Sequence, residues 1–135
     1  MNIFRDQNPA DSLRFEIDKV GRSYKVSRNF TLGELASKDG ANIVLLHPAL
    51  IIALQTIRDH VGKPIRVNSA FRSPAHNKAI GGASNSLHTL GLAADVVIDG
   101  MTPIEVASLA SDMGLGGIKA YPTFTHIDVG RHRTW

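Results

Sequence analysis

The sequence contains no cysteine and few aromatic residues, with five Phe, two Tyr and one Trp among 135 residues. Without cysteine, no disulfide framework, thiolate metal site or cysteine nucleophile can form, so any metal must be bound through nitrogen and oxygen atoms. The amino terminus is polar and lacks the apolar core of a secretory signal, and no apolar run is long enough for a membrane helix. We therefore expect synthesis in the cytoplasm without a signal peptide, and no membrane insertion.

The composition is that of one ordinary globular domain. With 43% hydrophobic and 20% charged residues, the chain can bury a core of its own. The net charge of +3 is too small to identify a partner. Because the sequence has neither a lysine-rich stripe nor a recognised nucleic-acid motif, we expect no nucleic-acid binding. We predict a loose terminal segment over residues 1–12, followed by a single, monomeric domain over residues 13–135.

Periodicity, capping signals and turn residues predict a mixture of helices and strands. The predicted helices cover residues 31–40, 48–61, 74–80 and 102–113. The predicted strands cover residues 65–71, 93–98, 117–121 and 125–129, after a hairpin over Arg14–Arg28 that turns at residues 21–23. Because strands and helices do not alternate regularly, we predict an α+β fold, a small antiparallel sheet flanked by helices.

Two stretches carry residues that can bind a metal. His88 precedes Asp95 by seven residues, and Asp95 lies in a predicted strand; His126 and Asp128 lie in the last predicted strand. Because side chains alternate across a strand, His126 and Asp128 share one face. If the two strands are neighbours, Asp95, His126 and Asp128 converge, and His88 can reach the same point from its loop.

His88, Asp95 and His126 would offer two imidazole nitrogens and one carboxylate oxygen. This three-ligand set leaves a fourth position open, as is typical of catalytic zinc, which acidifies water and polarises a carbonyl group. The spacings alone are weak signals, however, since a histidine near an apolar strand is more often a core residue than a ligand. The residues by themselves leave both interpretations open, and these ligand types suit several metals.

The segment SLHTLGLAAD, Ser86 to Asp95, resembles the Ser-x-His-x-x-Gly-x-Ala-x-Asp signature of the zinc D-Ala-D-Ala carboxypeptidases at all five defined positions. These peptidases are related to the vancomycin-resistance dipeptidases and to the Hedgehog signalling domain. The resemblance extends through further segments and covers most of the chain from about residue 29. Those segments are Asn29–Leu35, Leu54–Asp59, Ser69–Pro74 with Asn77, and the final His126-x-Asp128.

The resemblance implies a Hedgehog/DD-peptidase-like fold and a zinc ion bound by His88, Asp95 and His126. It also implies an arginine, here Arg72, near the substrate, where a guanidinium could hold the terminal carboxylate of a D-alanyl peptide. The alternative for Arg72 is a surface arginine at the start of a helix. Ser86 either contacts the substrate through its hydroxyl or caps its own loop.

The general base is where this sequence departs from the resemblance. Many family members carry Glu or Asp three residues before the second zinc histidine, at the position of Thr123, and threonine cannot accept a proton in this role. We hypothesise that Asp128, on the strand face of His126, supplies the catalytic carboxylate. The alternative is that Asp128 orients the ligand histidine.

The resulting hypothesis is a zinc metallopeptidase that hydrolyses bonds next to D-alanine in the stem peptides of bacterial peptidoglycan, as a carboxypeptidase or an endopeptidase. The alternative is a catalytically silent, zinc-containing module that binds the cell wall or has a structural role. Since a cytoplasmic protein needs access to the wall, we expect it to act through phage lysis or as a virion component. Two aromatic residues, Tyr121 and Trp135, are expected to pack in the core or at a sheet edge, with a groove-lining role as the alternative.

Overall fold

The computed structural model describes residues 2–133 and shows the predicted α+β fold. The strands are β1 (Leu13–Glu16), β2 (Lys25–Ser27), β3 (Phe30–Thr31), β4 (Ile43–Leu46), β5 (Ile65–Ser69), β6 (Ala93–Ile98), β7 (Gly117–Ala120) and β8 (Thr125–Asp128). The helices are α1 (Ile17–Val20), α2 (Leu32–Leu35), α3 (Pro48–Val61), α4 (Pro74–Ala79) and α5 (Pro103–Met113). Short 3₁₀ turns cover Pro9–Asp11 and Leu87–Leu90.

The main sheet is antiparallel, with strand order β5-β6-β8-β7. The neighbouring position of β6 and β8, a condition for the predicted cluster, is confirmed, and Asp95 lies directly opposite His126. Helix α5 packs against β7 and β8, and the hydroxyl of Thr125 donates a hydrogen bond of 2.8 Å to the carbonyl of Pro103. One face of α5 and one face of the sheet therefore join the same apolar core, which fixes the sheet behind the candidate site.

Helix α3 forms as its capping and periodicity signals predict. Pro48 occupies the first turn, and Gly62 ends the helix in the left-handed conformation, at φ 64°. The side chains on its inner face, Leu50, Leu54 and Ile57, are fully buried. Burial of such side chains stabilises a fold by about 1.5–3 kcal/mol each, so α3 is a main contributor to the core that supports the sheet.

The predicted hairpin over Arg14–Arg28 is wrong. Strand β1 pairs with β4 in a two-stranded antiparallel sheet, and β2 pairs with β3 in another. Between β1 and β2 the chain forms the single helical turn α1. The sequence prediction contained no strand at Ile43–Leu46, yet Val44 and Leu46 are fully buried and provide the partner for β1. Tertiary burial therefore overrode the local turn signal at residues 21–23.

Other differences concern the ends of elements. The capping box of Thr31 and Glu34 forms as predicted, but α2 ends at Leu35 rather than near residue 40.

Tyr121 is exposed and stacks on Phe124 at a ring distance of 4.6 Å, whereas Trp135 lies outside the described residues. Within residues 2–133, no helix is both long and apolar enough to cross a membrane.

The first residues of the chain lie against the end of the sheet. The amide of Asp6 donates to the carbonyl of Gly130 at 2.7 Å, and the amide of Gln7 donates to the carbonyl of Val129 at 3.0 Å. The carbonyl of Phe4 accepts a hydrogen bond from Gly116. These contacts tie the expected terminal segment to the residues that follow β8 and to Gly116, which precedes β7. The domain boundary at residue 13 stays a prediction.

Candidate metal centre

Three side chains from distant parts of the sequence meet at the middle of the main sheet. His88, Asp95 and His126 each offer one ligand atom, and these atoms lie within 4.8 Å of one another. The Oδ1 atom of Asp95 is 3.0 Å from Nδ1 of His126 and 3.3 Å from Nε2 of His88. The two imidazole rings stand edge to face, with centroids 5.3 Å apart. This is a donor set of two nitrogens and one oxygen, mostly removed from solvent.

His88 is fixed by the main chain. It lies in the 3₁₀ turn Leu87–Leu90, which Gly91 ends at φ 83°, and its ring is buried. Its Nδ1 atom is 2.7 Å from the carbonyl oxygen of Ala70. Because a carbonyl can only accept, Nδ1 carries a hydrogen, and Nε2 is the ring nitrogen that faces the cluster.

His126 is fixed by a side chain. Its Nε2 atom is 2.7 Å from Oδ2 of Asp128, and its Nδ1 atom faces Asp95. Asp128 is completely buried and lies on the opposite side of the imidazole from Asp95. The predicted convergence thus brings Asp128 to the far side of His126 rather than directly among the three candidate ligand atoms.

Asp128 is surrounded by hydrogen-bond donors. Its Oδ1 accepts from the amide of Gly130 at 3.0 Å and from NH1 of Arg133 at 3.2 Å, and its Oδ2 accepts from NH2 of Arg133 at 2.5 Å. Arg133 was not among the residues singled out from the sequence. A cation five residues after a strand aspartate is no recognised motif, so only the folded path of the chain reveals this pair.

Arg72 lies at the opposite edge of the cluster. Its guanidinium donates to the hydroxyl of Ser69 at 2.9 Å, to Oδ1 of Asn77 at 3.3 Å and to Oδ2 of Asp95 at 3.2 Å. The amide of Arg72 also donates to the carbonyl of His88 at 3.1 Å. Arg72 therefore holds the second oxygen of Asp95, which turns the first oxygen toward the two histidines.

In Asp95, Asp128 and His126, charged hydrogen-bond partners together affect the pKa more strongly than burial does. Burial by itself raises the pKa of Asp95, but hydrogen bonds from His126 and His88 bring that pKa well below its usual range. Burial likewise opposes ionisation of Asp128, whose pKa is nevertheless lowered by His126 and Arg133. Burial lowers the pKa of His126, and the hydrogen bonds to Asp128 and Asp95 raise it above its ordinary value. Both carboxylates are therefore anionic in the neutral pH range.

An open cleft of about 440 Å³ lies beside His126. Its lining residues are Ala83, Asn85, Ser86, Leu87, His126, Arg131 and Arg133. The hydroxyl of Ser86 accepts a hydrogen bond from the amide of His88 at 3.2 Å, so this serine caps the 3₁₀ turn and also borders the cleft. Of the three clustered side chains, His126 lines this cleft, together with the cationic residues Arg131 and Arg133.

The remaining residues of interest lie away from the cluster. Thr123 is exposed in the connection between β7 and β8. His47 caps α3, with its Nδ1 accepting from the amide of Ala49 at 3.0 Å, while His60 and His132 are exposed and His76 is half-buried. His47 therefore has a capping role, and His60 and His132 face the solvent.

Residues 26–128, which contain this whole cluster, match the protein family described as Peptidase M15. This chain belongs to the M15 peptidase family. The resemblance inferred from the signature at Ser86–Asp95 is thereby confirmed, because a zinc D-Ala-D-Ala carboxypeptidase is among the relatives.

Curated relatives of this chain are named as peptidoglycan L,D-endopeptidases or as a zinc D-Ala-D-Ala carboxypeptidase. The peptidoglycan L,D-endopeptidase MepK of Escherichia coli strain K12 is 33% identical over 99 residues, which cover 67% of this chain and 54% of MepK. The probable peptidoglycan L,D-endopeptidase MepK of Haemophilus influenzae is 35% identical over 100 residues, with the same coverage. The zinc D-Ala-D-Ala carboxypeptidase of Streptomyces albus G is 40% identical over 88 residues, covering 61% of this chain and 34% of that enzyme. The chain spans about half the length of the MepK relatives.

Proposed function

We propose that this chain is a zinc metallopeptidase that hydrolyses peptide bonds next to D-alanine in peptidoglycan stem peptides, as a carboxypeptidase or an endopeptidase. The observation that carries the proposal is the convergence of one ligand atom each from His88, Asp95 and His126 within 4.8 Å. The names of the relatives supply the substrate class.

The donor chemistry of the cluster fits zinc. His88 turns its Nε2 atom inward because Nδ1 donates its hydrogen to the carbonyl of Ala70, and Asp95 is anionic. Two imidazoles and a carboxylate are the usual protein ligands of a catalytic zinc ion and leave one position open. We propose that His88, Asp95 and His126 hold the ion, which supplies Lewis-acid polarisation of the substrate carbonyl and acidification of a water molecule.

Arg72 has two proposed roles in the reaction. Three of its five N–H groups hold Ser69, Asn77 and Asp95, and this fixes the carboxylate ligand. We propose that a remaining N–H group faces the carboxylate or the scissile carbonyl of the peptide, where a planar guanidinium is a strong donor. This second role makes Arg72 a catalytic and substrate-binding residue.

We propose that the cleft beside His126 receives the peptide. Arg131 is exposed at its border, and Ser86 borders it from the 3₁₀ turn. Stem peptides carry free carboxylates, for which a cationic border is complementary. Ser86 can donate its hydroxyl hydrogen to the substrate while its oxygen continues to accept from the amide of His88.

Asp128 is proposed to support the reaction through His126. Its contacts with the far nitrogen of that ring, with Arg133 and with Gly130 favour an orienting role. The competing proposal, in which Asp128 is the general base, requires this buried carboxylate to reach the reacting water. The two proposals predict different zinc affinities for Asp128→Asn, as set out below.

Product analysis tests the proposed function. Purified protein is loaded with zinc and incubated with a defined muropeptide ending in D-Ala-D-Ala and with intact, cross-linked peptidoglycan, and the products are analysed by mass spectrometry. Release of free D-alanine would identify a carboxypeptidase, whereas new amino and carboxyl ends within cross-links would identify an endopeptidase. A His88→Ala variant and protein treated with a chelator are the controls. No released amine from either substrate would refute the proposal.

One second candidate rests on a specific observation. By the family resemblance, Thr123 lies where an acidic residue is expected, and Asp128 is buried behind His126. A catalytically silent, zinc-containing module that binds wall fragments is consistent with both facts. It predicts retention of muropeptides on the zinc-loaded protein, measured by calorimetry, without product formation in the assay above.

A further inference from the structure

Arg133 makes a forked contact with the buried carboxylate behind His126. Its NH2 and NH1 atoms lie 2.5 Å and 3.2 Å from Oδ2 and Oδ1 of Asp128, and NH1 also donates to the carbonyl of Arg131 at 2.7 Å. The amide of Arg133 donates to the carbonyl of Gly116 at 3.0 Å. Main chain and side chain together thus fix the guanidinium in one place.

The surrounding backbone leaves space for this pair and for little else. A Cβ atom on Gly117 would lie 2.3 Å from Oδ2 of Asp128 and 2.6 Å from NH2 of Arg133. A Cβ atom on Gly130 would lie 3.3 Å from Oδ1 of Asp128. Residues without side chains therefore surround the carboxylate and guanidinium, which is the arrangement expected where close approach is required.

The hydrogen bonds around Asp128 determine which nitrogen of His126 carries a hydrogen. Two guanidinium nitrogens of Arg133 and the amide of Gly130 all donate to this carboxylate. Since every neighbour is a donor, the carboxylate accepts on all sides, and Nε2 of His126 must donate to it. With Nε2 directed at Asp128, Nδ1, which faces Asp95, is the ring nitrogen that would bind an ion.

We propose that Arg133 is a positioning residue of the metal centre, which acts through Asp128 to fix the orientation and tautomer of His126. The inference rests on the proposed function, because it assigns His126 as a ligand. It adds the segment after β8 to the site. The contacts of residues 130–133 with Gly116 and Gly117 then help to set the orientation of the ligand His126.

The first test is made on protein without metal, so that it does not depend on activity. In proton and nitrogen NMR spectra, the Nε2 hydrogen of His126 should give a downfield, slowly exchanging signal because it is held by a buried carboxylate. Arg133→Ala should shift this signal or broaden it by exchange. Arg66→Ala, which removes an exposed arginine from β5, is the matched control and should leave the signal unchanged.

The second test measures zinc affinity by competition with a chromophoric chelator. Loss of a partner that orients a ligand histidine typically weakens metal binding about 10- to 100-fold, and we expect Arg133→Ala to fall in this range. If Arg133 acts through Asp128, the double variant Arg133→Ala/Asp128→Asn should bind zinc as weakly as Asp128→Asn alone. Additive losses in this cycle would overturn the proposal.

A third test separates positioning from general stabilisation. Methylguanidinium added to Arg133→Ala should restore part of the zinc affinity, whereas tetramethylammonium at the same concentration should not, because it lacks N–H donors. Arg133→Lys keeps the charge without the fork and should lose less affinity than Arg133→Ala. Should Arg133→Ala fail to fold, as judged by circular dichroism, the comparison of Arg133→Lys with Arg66→Lys decides the same question.

The outcomes distinguish this proposal from the proposed function. Wild-type zinc affinity and an unchanged His126 signal in the Arg133 variants would overturn the positioning role even if the protein cleaves wall peptides. If the Arg133 variants lose both zinc affinity and the His126 signal, and the wild-type protein forms no product, the positioning role is supported and the peptidase activity is refuted.

Discussion

The two histidines of the cluster are oriented in different ways. On the His88 side, the far ring nitrogen donates to the carbonyl of Ala70, a group of the main chain. On the His126 side, the far nitrogen meets the carboxylate of Asp128, which is itself held by Arg133. A main-chain carbonyl is present whatever the side chain at its residue, whereas a chain of two charged side chains can be broken by one substitution. The His126 side is therefore the one that a single substitution can disrupt.

The largest effect is expected from a substitution of Asp95, the residue that both histidines contact. Asp95→Asn replaces the carboxylate that faces both histidines and leaves Arg72 without its anionic partner. We expect zinc binding and peptide hydrolysis to fall to background, because a neutral amide is a poor zinc ligand. Elemental analysis and the mass-spectrometric assay measure these losses. A variant that keeps zinc with wild-type affinity would show that His88 and His126 do not share Asp95 as a ligand partner.

Asp128→Asn changes the contact that orients His126 and leaves the contacts of His88 intact. If Asp128 orients His126, zinc affinity should fall about 10- to 100-fold, and hydrolysis should recover when zinc is supplied in excess. If Asp128 is instead the general base, zinc affinity should stay near that of the wild type while hydrolysis falls at least about 100-fold at saturating zinc. Chelator competition and kcat at saturating zinc separate the two outcomes.

Substitutions of two glycines, one near Asp128 and one at the end of the turn that carries His88, compare the two sides of the cluster. Gly117→Ala would place a Cβ atom 2.3 Å from Asp128, and Gly91→Ala would place one 2.5 Å from the carbonyl oxygen of Leu45, at a φ of 83°. Each change should destabilise the fold by about 1–3 kcal/mol. In Gly117→Ala the side chains of Asp128 and Arg133 must move, so this variant should also bind zinc more weakly.

Chemical denaturation and zinc titration of both glycine variants check this prediction. At Gly91 the obstacle is backbone, so the main effect should be on the free energy of unfolding. Equal zinc affinities for the two variants would contradict the contrast between the sides.

The smallest expected effect is on the pH dependence of stability without metal. The pKa of His126 is raised because its bonds to Asp128 and Asp95 outweigh burial. A raised pKa in the folded state contributes stability that is complete below the ordinary value of about 6.5 and is lost as pH rises through the folded-state pKa. The melting temperature of chelator-treated protein should therefore decrease as the pH rises above about 6.5.

Two variants control the pH experiment. His126→Gln should flatten the pH dependence, because the titrating group is gone, and His132→Gln should preserve it, because His132 is exposed. Both Asp95 and Asp128 have lowered pKa values and stay ionised across this range. A flat profile for the wild type would contradict the charge-stabilised His126.

Much of the fold was predictable where local signals and burial agree. Helix α3 begins at Pro48 and ends at Gly62 as its caps indicate, and α5 begins at the capping box of Thr102 and Glu105. The prediction of a hairpin was wrong because local signals and burial disagree there. Turn residues at 21–23 suggested a partner for β1 nearby in the sequence, but β1 pairs with the buried strand β4. Strand partners far apart in sequence are selected by packing, which a local pattern does not contain.

The amino-acid sequence specified the residue types of the centre and their order along the chain, through the signature at Ser86–Asp95 and the late His126. It determined the donor chemistry as well, since nitrogen and oxygen were the available ligands in a chain without cysteine. The folded structure was needed to show that β6 and β8 pair with Asp95 opposite His126, that Arg72 holds Asp95, and that Arg133 lies behind Asp128. These contacts join residues 5 to 31 positions apart, and their geometry depends on sheet register and on the close approach permitted at Gly117.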